Sequence, residues 1–90
     1  MTNEMVNKKI EKKDELERRI RTCLRFVKDI EYLSEESNLI YVKMYGGIGL
    51  EEIEELALQG LKMRFVNPIQ ITTKYGKVEN GLQLSLEVLI

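Results

Sequence analysis

Ninety residues, with 14 Lys/Arg against 15 Asp/Glu and no His, make one domain with a single modest core and a formal charge of −1. Cys occurs once and Trp not at all, so an internal disulfide is excluded and a transition-metal cluster lacks ligands. No apolar run approaches the roughly 20 residues of a bilayer helix, and no basic-then-apolar leader opens the chain, which predicts a cytoplasmic protein without a membrane partner.

Residues 1–13 read as a basic tail or as an extension of the helix that follows, with a short edge strand as a third reading. Residues 14–90 read as one α+β domain. From Asp14, a candidate N-cap, the spacing predicts a helix over 14–34, because Leu16, Ile20, Cys23, Leu24, Val27 and Ile30 recur at steps of three and four. Cys23 lies on that apolar stripe and reads as a structural thiol. On the opposite side Arg18, Arg21, Arg25 and Lys28 would form a line continued by Tyr32, with Arg19 beside it. Such a line can track phosphates through bidentate guanidinium contacts. Equally, it can be a solvated face, partly neutralised by Asp14, Glu17, Asp29 and Glu31.

Residues 39–45 form a strand-like run, and Gly46, Gly47 and Gly49 break it. The helix predicted over 50–59 would bury Leu50, Ile53, Leu56 and Ala57 and turn Glu51, Glu52, Glu54 and Glu55 to solvent. Those carboxylates compensate the helix dipole and would repel a phosphate, so the glycines read as a turn rather than a nucleotide loop. Two runs follow, 62–73 and 78–90. In the first, Met63, Phe65, Ile69 and Ile71 share one parity and Pro68 marks an edge or a bulge. In the second, Leu82, Leu84, Leu86, Val88 and Ile90 alternate with polar residues. Between them Lys74-Tyr75-Gly76-Lys77 forms a hairpin tip, with Gly76 supplying the positive φ.

The expected fold is a small mixed β-sheet with two helices, ending in a β-hairpin. Charge comes in blocks: residues 1–28 hold nine bases and five acids, residues 29–60 one base and eight acids, and residues 61–90 four bases and two acids. Potential is local on a scale of about 8 Å at physiological salt, so two basic surfaces should flank an acidic one. With no His and no Cys–His or Ser–His pairing, nucleophilic catalysis has no machinery, and the chain is not expected to be an enzyme or to hold a cofactor.

The helix from Asp14, the strand closed by Gly46, the acidic helix, the basic hairpin Thr72-Thr73-Lys74-Tyr75-Gly76-Lys77 and the apolar last strand together resemble the Alba superfamily. Its members are archaeal chromatin and RNA-binding proteins and related ribonuclease P subunits, and the likeness covers residues 14–90. The resemblance implies an Alba-like fold, a homodimer, and nucleic-acid contacts at Arg18, Arg19, Lys74 and Lys77. The function expected is non-catalytic binding of DNA or RNA phosphates through the helix face (Arg18, Arg19, Arg21, Arg25) and the hairpin tip (Lys74, Tyr75, Lys77). The alternative is a protein-interaction module whose Glu51, Glu52, Glu54 and Glu55 engage a basic protein partner, such as a nucleic-acid-processing enzyme it inhibits.

Overall fold

A computed structural model describes the backbone of residues 2–32 and 38–89, and side chains from residue 13 onward within them. Six elements follow in order: α1 (Thr2–Cys23), β1 (Val27–Tyr32), β2 (Leu39–Tyr45), α2 (Leu50–Leu58), β3 (Leu61–Thr72) and β4 (Val78–Val88). The fold is a small α+β domain with a four-stranded sheet in the order β1-β2-β4-β3, and β3 and β4 close it as a hairpin.

The sheet is antiparallel throughout rather than mixed. A strand–helix–strand crossover is present: β2 and β3 are joined by α2 and both run opposite to β4. They are therefore parallel to each other, but β4 is inserted between them and no hydrogen-bonded neighbours are parallel. Edge placement of β3 agrees with Pro68, whose missing N–H costs nothing on a free edge.

Both helices pack on one face. Leu16, Ile20 and Leu24 of α1 and its exit meet Ile40, Val42 and Met44 of β2, Leu84, Leu86 and Val88 of β4, Leu61 of β3 and Leu56 of α2 in a single core. In α2 only Leu56 is buried; Ile53 is half-buried, and Leu50 and Ala57 are exposed, against expectation. A nine-residue helix laid on a sheet rim has room for one deep anchor.

The helix expected over 14–34 is corrected in two ways. It begins at Thr2, as the helix-extension reading of residues 1–13 has it, so Asp14 is an interior residue and no cap, and it ends at Cys23, with Val27–Tyr32 forming an edge strand. Ser34, the expected end, lies outside the described residues, as does Ile90. The apolar spacing deceived because of a β-bulge: the register shifts between Val27 and Asp29, leaving Lys28 as the extra residue. Val27, Ile30 and Tyr32 then pack against one core at steps of three and two, and the first step imitates a helix. A second bulge between Met63 and Phe65 has the same effect on β3. Met63 packs on the helix side, whereas Phe65, opposite Ser85, shares the far face with Ile69 and Ile71.

Candidate nucleic-acid interface

The chain leaves α1 through Arg25 and Phe26, and Phe26 turns it at φ 60, in the left-handed region. Its carbonyl accepts the Tyr45 N–H at 3.0 Å, tying the α1–β1 turn to the end of β2. One residue on, the Gly46 N–H donates to Asn80 O at 3.2 Å, at the base of the hairpin arm. Lys28, in the bulge, donates from Nζ to Thr72 O at 3.4 Å, at the end of β3. These three bonds bring the α1–β1 turn, the end of β2 and the β3–β4 tip to one end of the sheet.

At Gly81 strand β4 comes unusually close to its neighbours. A Cβ there would stand 2.5 Å from Ile71 Cδ1 and 2.5 Å from the Met44 carbonyl oxygen, so only glycine lets β4 approach this closely. Ile71 is buried against Gly81, on the face away from the helices. At the tip, Thr73 accepts from Gly76 N–H at 2.9 Å and donates to Lys77 O at 2.7 Å, while Gly76 takes φ 81. The turn is thus well tied, and Tyr75 is 84 % exposed with Lys74 Nζ 5.1 Å from its ring centroid. Lys77 lies 3.9 Å from Glu79, a loose pair.

The predicted basic row does not survive as a row. Arg18 and Arg21 are exposed on α1, and Arg19 is engaged by Glu15 at 2.6 Å one turn earlier. Arg25 is past the helix, Lys28 is on β1, and Tyr32 faces inward toward α1. Its hydroxyl donates to Lys13 O at 3.0 Å and Lys13 Nζ sits 5.5 Å from its ring centroid. Burial first, then the nearby carboxylates of Glu17 and Asp14, push the Tyr32 phenol up to about 12.

Arg25 lines an open groove of about 580 Å³ with Thr22, Cys23 and Leu58, whose rim carries Glu51, Glu52, Glu54 and Glu55. The Glu52 carboxylate also accepts the Gly49 N–H, closing the first turn of α2. Cys23 is half-buried beside the core, and burial, then the Glu55 charge, raise its thiol pKa, which keeps it protonated and poorly nucleophilic. The structure thus divides the sequence-derived site residues. Lys74, Tyr75 and Lys77 share one tip, Arg18 and Arg21 stand apart on α1, and Arg25 sits beside the acidic groove.

Two residues of the hairpin end were missed from sequence. Lys28 was placed on a helix, and Phe26 carried no signal at all, since a bulky residue is a rare choice for a left-handed turn. Phe26 is 74 % exposed. No family model, curated protein or solved structure matches this chain.

Proposed function

We propose that this chain binds nucleic acid without catalysing a reaction on it, and that the hairpin end is the contacting surface. The observation that carries this is the Lys28–Thr72 bond, which ties a third lysine to the end of β3, where the turn carrying Lys74, the exposed Tyr75 and Lys77 begins; Phe26, also exposed, lies two residues before Lys28. Lysines clustered around exposed aromatics suit phosphates flanking a base or a groove edge. The Alba resemblance supports the same tip through Lys74 and Lys77. Phosphate contacts would dominate, so binding should be weakly sequence-specific and strongly salt-dependent.

Anisotropy titrations of labelled DNA and RNA oligonucleotides test the reading. With Lys74→Glu/Lys77→Glu, affinity should fall at least about tenfold at low salt, since each change removes an attraction and adds a repulsion. Equal affinity in that variant overturns the assignment to the tip.

The acidic groove favours a second reading, in which Glu51, Glu52, Glu54 and Glu55 receive a basic protein. Changing all four to Gln would weaken such a complex and slow its formation, whereas nucleic-acid affinity would hold or rise.

A further inference from the structure

Among the described residues, the helices cover one face of the sheet and no element packs on the other. Across it the register aligns two rows. Tyr41 of β2, Ser85 of β4 and Phe65 of β3 form one; Lys43, Gln83 and Asn67 form the next. Strand spacing puts Tyr41 and Phe65 about 10 Å apart, on either side of Ser85. Ser85 is only 6 % exposed while Phe65 is 64 % exposed, so the serine is the recessed floor between two aromatic positions. The neighbouring row offers two amides and an ammonium at the same height.

We infer that this face takes a short unpaired stretch of nucleic acid, with Tyr41 and Phe65 stacking on bases and Gln83 and Asn67 meeting base edges. The inference rests on the nucleic-acid reading above and extends it from the hairpin end onto the sheet. Stacking selects for unpaired strands, because a duplex hides its base faces and presents only groove edges. An amide carries both a donor and an acceptor, which is what a Watson–Crick edge left without a partner requires. Charge fixes where the backbone runs. Asp29 and Glu31 line the β1 rim opposite Lys43 and Tyr41, and they repel phosphates from that side. Lys62 and Arg64 stand on the β3 rim, with Arg64 held by Glu87 at 2.9 Å, and the hairpin lysines lie at the end of the same β3–β4 pair. On β4 the carboxylates of Glu87 and Glu79 share this face, but each stands against a base, Arg64 at 2.9 Å and Lys77 at 3.9 Å, so the strand passes over β4 and β3 toward the tip.

The test is fluorescence anisotropy with a labelled twelve-nucleotide mixed-sequence single strand, as DNA and as RNA, and with the corresponding duplex. Wild type should prefer the single strand. Tyr41→Ala/Phe65→Ala should lower single-strand affinity by about tenfold to a hundredfold and leave duplex affinity nearly unchanged. Lys74→Glu/Lys77→Glu should weaken both probes. Phe65→Leu alone keeps the bulk of an already exposed side chain and removes the aromatic face; it should still lose single-strand affinity with an unaltered melting temperature. Equal loss on both probes, no loss on either, or a change in sedimentation in the double variant (which would make this face a contact between copies) overturns the inference while leaving the hairpin reading intact. Failure of wild type to bind any probe overturns both.

Discussion

Phe26 holds the left-handed region at φ 60 with most of its side chain in solvent. For a residue with a Cβ that conformation costs roughly 1–2 kcal/mol, and the exposed ring recovers little of it by burial. Strain of this kind persists where the surroundings over-determine it and often marks a working surface. Asn tolerates the same conformation better, so Phe26→Asn should raise stability by about 0.5–1 kcal/mol, read as a shift of the denaturant midpoint at constant slope. If Phe26 belongs to the binding end, the same variant should bind oligonucleotides more weakly. A variant both less stable and equal in affinity would remove Phe26 from the account. At this scale the sequence was informative where the chemistry of a residue is its reason for being there. Gly76 announced its positive φ, and Pro68 announced an edge or a bulge, of which the edge is what β3 forms. Gly81 and Phe26 gave no such notice, because one is set by a neighbouring strand and the other defies its own preference.

Elements were legible where their period was unbroken. Strand β2 alternates without a fault from Leu39 to Tyr45, and its predicted and observed bounds agree. Strand β1 was lost to a single extra residue, Lys28, since a bulge converts a period of two into a step of three. The same extra residue carries Lys28 out of the supposed helical row and onto the hairpin. The end of β1 is pinned to α1 by Tyr32, and this packing has a titration signature. The Tyr32 phenol is raised to about 12 in the fold against the usual value near 10 in an unfolded chain. Between those values the unfolded state gives up the proton and the folded state keeps it, so stability falls as pH rises through that window. Tyr32→Phe should cost about 0.5–1.5 kcal/mol at pH 7 through the lost bond to Lys13 O. Thermal melts from pH 9 to 11.5 should then show wild type losing stability faster than the variant. Parallel losses would mean that the phenol is not held protonated by the fold.

Taken whole, the molecule separates its charges by direction rather than by amount. The acidic rim of α2 opens on the helix side, where it shares a groove with Arg25. The lysines of the bulge and the tip gather at the hairpin end, and the open sheet face continues from there. The block charges of the sequence pointed to an acidic α2, and its four carboxylates do line one groove. Which bases lie together was not legible, because it depends on the bulge at Lys28 and on the long-range bond Lys28 makes to Thr72 O. The central claim is therefore that the hairpin end, and not the arginines of α1 and its exit, provides the phosphate contacts. The direct test compares the salt dependence of oligonucleotide affinity for Lys28→Glu/Lys74→Glu/Lys77→Glu with that for Arg18→Glu/Arg21→Glu/Arg25→Glu. Each lost phosphate contact flattens the log–log slope by about 0.7 to 0.9. The lysine triple should flatten it by about 2 to 3 and the arginine triple by clearly less. The reverse order, with the arginine variant losing the salt dependence and the lysine variant keeping it, would contradict the account.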